Sequence, residues 1–483
     1  MTDNSKKPKT WARPRALSLI LFTLIAVAAV IVFLIPRAQK KPSVLFILVD
    51  TLRSDRLGCL GNARGLTPHL DQLASDGVLF DNARSQSSWT LPSMISLMTG
   101  KYIFSEIPKL PDETPSLPLL MKQRGYATAG FIANALVGEK EGFKKGFDHF
   151  EVRQKDSFPC SGKDLNYRLL PWMREQLKPP FFLYLHYLDP HFPYDPPPEF
   201  PRVDDDIDPI NPEKLDRFKR WAEEQENYDR LAQDLSEIRH QLNLYDSEVR
   251  YVDQCIGEVI EELKRLGLYD DTIVVLASDH GECLWDHPHY PKAIEKTVPE
   301  DKRNLTTFFF RDHGYHLFEE LIHVPLIIKG PEIPGQRTIS SSVANVDLLP
   351  TLLDLTGGKA GFLGHGKSLL PVLRHTDEIL PEDRALFSHC NEATCIVHPT
   401  AHLKLIVPNK LGQYFGLGYL LFHLTEDPAE TQNRLKSLEG IGGDVVRSLD
   451  KALREKEKHD YFKNMTGEFD EETKEKMREL GYL

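Results

Sequence analysis

Six residues of this chain have the types needed for metal-assisted nucleophilic chemistry: Asp50, Thr90, His191, Asp279, His280 and His313. Asp50, Asp279 and His280 are two carboxylates and an imidazole, a set that suits a divalent cation. Carboxylate oxygens favour hard ions, and a mixed oxygen and imidazole site takes zinc, manganese or magnesium. Thr90 heads the stretch "TLPSMISLMTG". Its hydroxyl stays protonated at neutral pH and attacks only when a base or a metal removes the proton. A cation held by Asp50, Asp279 and His280 would do this and also polarise the bond under attack. A helix starting at Thr90 offers backbone N–H groups to an anion. His191 in "LDPHFPY" and His313 in "RDHGYHLFEE" can hydrogen-bond anionic oxygens or protonate a leaving group. Taken singly, each residue has an ordinary reading as well. An Asp after a strand caps a turn or helix, a Thr ahead of Pro92 starts one, and a His in a Pro-rich loop is a loop residue.

Four apolar runs of strand length must position these groups: "KPSVLFILVD" from Lys41, "PPFFLYLHYLD" from Pro179, "DDTIVVLASDH" from Asp270 and "HVPLIIKGP" from His323. Continuous apolar strands are buried on both faces, as in a parallel sheet covered by helices. Between them lie helical patterns. The clearest puts Val249, Val252, Ile256, Val259, Ile260, Leu263 and Leu266 on one face, with Gly267 closing the helix. The alternation predicts an open α/β domain with a central, mostly parallel sheet. Ligands bind such sheets at the carboxyl ends of the strands, where Asp50, His186, Asp189, Asp279 and His280 collect. The charged stretch from Pro201 to Leu244 reads as a surface excursion followed by a helix, and His287 to Asp312 as an inserted loop. Beyond His375, "HLKLIVP", "QYFGLGYLLFHLTEDPAE" and a charged tail predict a small antiparallel sheet with a terminal helix. The expected divisions are a basic tail over residues 1–15, an apolar segment over 16–36, a catalytic domain over 43–375 and a small α+β subdomain over 376–483.

The chain has 483 residues and a formal net charge of -12, and its folded part has no long basic patch, which argues against a nucleic-acid partner. The six cysteines form no CxxC pair, so zinc-ribbon and thioredoxin-like readings lose their support. Cys390 and Cys395 are close enough in sequence to pair, and two unlinked thiols describe them equally well. Near the N-terminus, "ALSLILFTLIAVAAVIVFLIP" (Ala16 to Pro36) is an uninterrupted apolar run long enough to cross a bilayer. It ends without a convincing cleavage site, which favours an uncleaved anchor over a signal peptide. Lys6, Lys7, Lys9, Arg13 and Arg15 precede it, and Arg37, Lys40 and Lys41 follow. The bias points to a cytoplasmic N-terminus and an extracytoplasmic body, periplasmic or extracellular. "NLT" at Asn304 would be a glycosylation acceptor in a eukaryotic secreted protein.

Together, these stretches resemble the sulfatase family of the alkaline phosphatase superfamily. "VLFILVDTLRSDRLGCLG", "TPHLDQLASDGVLFDNARS", "TLPSMISLMTG", "RGYATAGFIAN", "LHYLDPHFPY", "YDSEVRYVDQCIGEVIEEL", "VVLASDHGE", "LFEELIHVPLII" and "MRELGYL" occur in the family's order from about Lys41 to Leu483. The resemblance implies an alkaline-phosphatase-like fold and a metal-dependent hydrolase of sulfate or phosphate esters, with calcium, zinc, manganese or magnesium as cofactor. It puts Asp50, Asp279 and His280 at metal-ligand positions. Thr90 falls at the nucleophile, which also touches the metal, and His191 at a contact to the substrate's anionic group. His313 lies near the place of a substrate-binding Lys, and Asn134 near another substrate contact. The implied partner is a sulfated or phosphorylated small molecule, glycan or lipid head group.

The chain also departs from the family. Typical members carry Cys-x-Pro-x-Arg, whose Cys or Ser becomes formylglycine. Here the frame reads Thr90-Leu91-Pro92-Ser93-Met94. Thr cannot become that aldehyde, because its β-carbon carries a methyl. Met94 replaces the Arg, Thr51 replaces a second Asp, and the Lys-x-His segment after "GYAT" is missing. A Thr nucleophile resembles phosphoryl-transferring relatives, among them phosphodiesterases and membrane-anchored transferases. Three readings follow: a membrane-anchored ester hydrolase acting through Thr90, a phosphoryl transferase or phosphodiesterase, and a non-catalytic anion-binding pseudoenzyme.

Overall fold

The computed structural model describes residues 41–458 except 106, 153–160, 204–206, 226–228, 289–303, 359–363, 376–379, 381–383, 399, 401 and 437–440, together with 460, 471, 474 and 475. The expected anchor over 16–36 and the basic tail before it lie outside the described residues. Among the described residues, no helix is long and apolar enough to cross a membrane.

The apolar runs form the strands the alternation predicts. The large sheet contains β1 (Ser43–Val49), β2 (Val78–Phe80), β3 (Ala127–Ile132), β4 (His149–Val152), β5 (Phe181–Tyr187) and β6 (Thr272–Ser278). A separate hairpin of β7 (Cys283–Pro288) and β8 (Phe309–Asp312) follows. The sheet is completed by β9 (Leu326–Lys329) and β10 (Arg337–Ile339), in the order β10-β2-β9-β6-β1-β5-β3-β4. β9 runs antiparallel to both of its neighbours, and every other pairing in this sheet is parallel. All seven residues of β1, β5 and β6 are buried, so the three central strands present apolar side chains to both covering layers. Those layers include α1 (Pro68–Asp76), α2 (Thr90–Thr99), α3 (Gly162–Gln176), α4 (Pro212–Glu224) and α5 (Leu231–Arg265). The α5 helix carries the apolar face read from Val249 to Leu263, and Gly267 after it adopts φ 68°, the left-handed conformation that stops a helix.

Two sequence expectations need correction. The charged stretch is not wholly a solvated excursion: α4 buries Phe218, Trp221 and the charged Lys214, whose Nζ meets Asp286 at 2.7 Å. The stretch read as an inserted loop begins and ends in paired strands, because β7 and β8 are antiparallel with Cys283 opposite Asp312. Inside it, Asn304 is a helix cap whose Oδ1 accepts the Thr307 N–H at 2.9 Å.

The C-terminal part forms an antiparallel sheet of β11 (Leu386–His389), β12 (Ala393–His398), β13 (Leu403–Pro408) and β14 (Leu420–His423), followed by α6 (Ile441–Lys458). Cys390 and Cys395 are free, buried thiols. The described residues from Pro42 onward fall in one compact unit. Lys404, fully buried on β13, joins this sheet to the large domain through Glu319 at 3.0 Å and also pairs with Glu430 of the C-terminal part at 2.9 Å. Lys404→Met leaves both carboxylates without that cation and is expected to cost about 3–5 kcal/mol. Chemical denaturation checks this: an unchanged midpoint would remove the lock.

Candidate active site

Four adjacent parallel strands, β6, β1, β5 and β3, deliver side chains to one edge of the sheet. Asp50 follows β1, Asp279 and His280 follow β6, His186 lies near the end of β5 with His191 just beyond it, and Asn134 lies two residues past β3. Thr90 comes to the same edge as the first residue of α2, a helix buried along its whole length. Gly100 ends α2 in the left-handed conformation at φ 63°. Ser93, one turn into α2, donates its hydroxyl to the Asp279 carbonyl at 2.6 Å, which ties the helix start to the β6 loop.

Thr90 Oγ1 lies 3.3 Å from His280 Nε2 and 3.5 Å from Asp50 Oδ2. His280 Nε2 lies 3.6 Å from Asp50 Oδ1 and 3.4 Å from Asp279 Oδ2. The structure therefore brings together the four residues the sequence proposed as a metal set. Asn134, which the resemblance put near a substrate contact, joins them: its Nδ2 donates to Asp50 Oδ2 at 2.6 Å and lies 3.4 Å from Thr90 Oγ1. Its Oδ1 accepts the Leu136 N–H at 2.8 Å, so the amide cannot turn over without losing a bond. His313 and His191 stand behind this group. The His313 ring centroid is 4.5 Å from that of His280 and 4.9 Å from that of His191.

The sequence reading gave no role to two site residues: His186, which it placed at the carboxyl edge of the sheet, and Glu282. His186 Nε2 lies 3.2 Å from Asp50 Oδ2, and the hydroxyl of Tyr184 meets its Nδ1 at 3.0 Å. Its signal was a lone imidazole near the end of an apolar strand. Glu282 Oε1 lies 3.1 Å from His313 Nδ1, with both side chains fully buried. The hairpin explains this contact: Cys283 opposite Asp312 sets the residues just outside the pair side by side. Asp189 ends its strand as Asp50 does, yet caps α3 by accepting the Gly162 N–H at 2.8 Å and plays no part in the site.

The donor set fits a divalent cation. Asp50, His186 and Asp279 offer ligand atoms that all lie within 4.8 Å of one another. Asp50 Oδ1 and Asp279 Oδ2 are buried without a hydrogen-bond partner, and two such oxygens are costly unless a cation shares them. Burial raises the Asp279 pKa well above the carboxylate range and the Asp50 charge adds to it, whereas His186, His191 and His280 overcome burial and hold Asp50 below that range. Burial lowers His280 to about 3, with His313 adding to the effect. Its Nδ1 faces the Gly281 carbonyl at 2.9 Å, so the neutral ring presents a lone pair at Nε2 to Thr90 and the carboxylates. Thr51, where the family resemblance called for a second Asp, sits at φ 52°, a strained conformation for a β-branched residue. Its Oγ1 is buried and has no hydrogen-bond partner. Met94, where the family resemblance called for an Arg, is buried with Sδ 3.8 Å from the Tyr184 hydroxyl.

The sulfatase family model matches residues 42–358. The chain belongs to the sulfatase family. The C-terminal model of N-sulphoglucosamine sulphohydrolase matches residues 309–459 of this sulfatase-family chain. The ulvan-active sulfatase of Formosa agariphila is 27% identical over 375 residues, which cover 70% of this chain and 66% of that protein. A structure solved with its substrate D-glucosamine-2-N,6-O-disulfate superposes with a TM-score of 0.66 at 20% identity, covering 87% of this chain and 99% of the other. The phosphonate monoester hydrolase of Agrobacterium radiobacter superposes with a TM-score of 0.65 at 20% identity, covering 86% and 95%. Both likenesses establish the alkaline-phosphatase-like fold with its small C-terminal antiparallel part.

Burial alone would lower the His313 pKa, but Glu282 overrides it and pushes the group up to about 9. A histidine with a raised folded pKa contributes stability fully below its ordinary value near 6.5 and loses it as pH rises through about 9. Activity that needs protonated His313 is expected to fall on an alkaline limb near pH 9, and Glu282→Gln is expected to move that limb toward neutrality. A pH–rate profile of the two proteins checks this; coincident limbs would remove His313 from the reaction.

Proposed function

We propose that this chain is a metal-dependent hydrolase that cleaves a phosphate or sulfate ester through Thr90. The observation that carries the reading is the position of Thr90. Its hydroxyl sits at the start of a buried helix, 3.3 Å from His280 and 3.5 Å from Asp50, beside two carboxylate oxygens that lack partners. Those orphaned carboxylates favour an enzyme over a non-catalytic binding module. Asp50, Asp279 and His280 would hold the cation, with Thr90 and His186 beside it. When bound, the cation polarises the ester and lets the Thr90 hydroxyl lose its proton at neutral pH.

The chain's own residues do the rest. Thr90 Oγ1 forms a bond to phosphorus or sulfur as the ester oxygen leaves, and His313, protonated at neutral pH, gives that oxygen its proton. Asn134 hydrogen-bonds the anionic oxygens, and His191, whose Nδ1 donates to the Phe192 carbonyl at 2.6 Å, does so from Nε2 once the bound anion draws a proton onto its ring. Water then attacks the same centre, the Thr90 oxygen recovers a proton, and the free acid departs. A phosphate ester suits Thr better, because a phosphothreonine is opened by water at phosphorus. Thr has no second hydroxyl on its β-carbon through which a sulfated intermediate could collapse. The phosphonate monoester hydrolase fold is consistent with this choice. A sulfated glycan is the second reading, supported by the ulvan-active sulfatase and by the glucosamine disulfate complex. In either case the apolar run from Ala16 to Pro36 supports a single-pass anchor with the catalytic body extracytoplasmic.

Intact-mass and peptide mapping test the reading. The protein is incubated with divalent metal and, in parallel, with a generic phosphodiester and an aryl sulfate. A phosphate adduct on Thr90, absent in Thr90→Ala, supports phosphoryl chemistry. A sulfate adduct, distinguished by accurate mass, supports the second reading. Neither adduct, with no turnover on any metal, sinks both.

A further inference from the structure

A cavity of about 520 Å³ opens between α4, the β7–β8 hairpin and the C-terminal sheet. Its size is within the range of small-molecule sites, roughly 300–1,000 Å³. Trp221 of α4, Phe309 of β8, Phe318 and Phe422 of β14 form an aromatic wall, each less than a tenth exposed. Several charged groups on the wall are already matched. Asp286 is paired with Arg53 and Lys214, Glu430 with Lys404, and His287 with Glu320.

Arg217 and Arg220 of α4 differ. Both border the cavity, Arg217 half-buried and Arg220 exposed, and the Arg217 Nε is buried without a hydrogen-bond partner. Neither forms an ion pair among the described residues. A buried guanidinium N–H without an acceptor favours a ligand that brings one, and Arg prefers carboxylate, sulfate or phosphate. Glu224 of the same helix also borders the cavity, which leaves one positive charge in excess. That balance favours a singly charged head group over a polyanion. The aromatic wall needs an apolar body to cover it.

We propose that this cavity binds an amphiphilic monoanion, with its acyl or aryl body against Trp221, Phe309, Phe318 and Phe422 and its acidic head on Arg217 and Arg220. The site is separate from Thr90 and the metal set. Its walls come from the charged stretch, the hairpin and the C-terminal sheet, three segments distant in sequence.

The test uses the full chain, with 8-anilinonaphthalene-1-sulfonate as reporter, laurate as competitor and dodecyl maltoside below its micelle concentration as a neutral competitor. Saturable displacement by laurate, and none by the maltoside, is expected. Arg217→Gln/Arg220→Gln is expected to weaken laurate about tenfold or more, the loss of one or two charge-assisted hydrogen bonds. Gly418→Phe, at a cavity position where an added Cβ meets nothing within 4 Å, is expected to weaken both ligands by filling the space. It also answers the question if the double variant fails to fold. The proposal is overturned if laurate displaces nothing, if the maltoside competes equally, or if laurate binds the correctly folded variants as it binds the parent. None of these readouts depends on Thr90 or on turnover.

Discussion

Thr90→Ala is expected to lower kcat by roughly 10⁴-fold, as removal of a covalent nucleophile does, while the protein stays folded and still binds metal. Thr90 is fully buried in α2. The change removes Oγ1 and one methyl and leaves the backbone able to hold the helix. The stability cost is about 1 kcal/mol for the small cavity. Thr90→Ser keeps a hydroxyl on the same carbon and is expected to retain a substantial part of the activity. Steady-state kinetics with intact mass on all three proteins checks both expectations. Near-parental turnover by Thr90→Ala would move the nucleophile elsewhere. Equal loss in Thr90→Ala and Thr90→Ser would point to packing of the methyl rather than to the hydroxyl.

Chelation is expected to abolish turnover and to destabilise the protein, whereas Asp279→Asn is expected to abolish turnover and stabilise the metal-free form. The reason is the facing pair of carboxylates. Without a cation, burial and the Asp50 charge push the Asp279 pKa well above the ordinary range. A folded carboxyl with a raised pKa binds a proton that the unfolded chain has already released. Metal-free stability is therefore highest in acid and falls as pH rises from about 4 through the folded pKa. A cation between Asp50 and Asp279 cancels this repulsion, so the metal-loaded protein loses the slope. At 100-fold excess over its Kd a stabilising ligand adds about 2.7 kcal/mol, a rise of a few degrees in Tm for a domain this large. Thermal unfolding from pH 5 to pH 8, with and without metal, measures all of this. A metal-free Tm that rises over that interval, or an Asp279→Asn Tm below the parent's, would contradict it.

The legible and illegible parts of the site differ in physical origin. Asp50 and Asp279 could be picked out because each ends an apolar run, and a parallel sheet sends the carboxyl ends of its strands to one edge. Asp189 met the same criterion and was excluded only by tertiary packing, which brings Gly162, the first residue of α3, close enough to donate its N–H at 2.8 Å. His186 and Glu282 were harder to find. One depends on the register of β5 against β1, which sets His186 opposite Leu48 and close to Asp50. The other depends on a pairing between strands that a sequence reading joined into a single loop. The same joining hid the aromatic cavity.

By itself the sequence determined the α/β class, the apolar strands, the long helix before β6, and a Thr at position 90 whose β-carbon carries a methyl and so cannot become an aldehyde. These properties follow from local periodicity and covalent chemistry, which neighbours in the chain suffice to specify. Only the tertiary structure decided which polar strand ends converge, that Thr90 meets His280 and Asp50 within hydrogen-bonding range, and that Glu282 holds His313 charged. Those outcomes depend on strand order and register, which are set by burial of side chains far apart in sequence and cannot be read from any one segment.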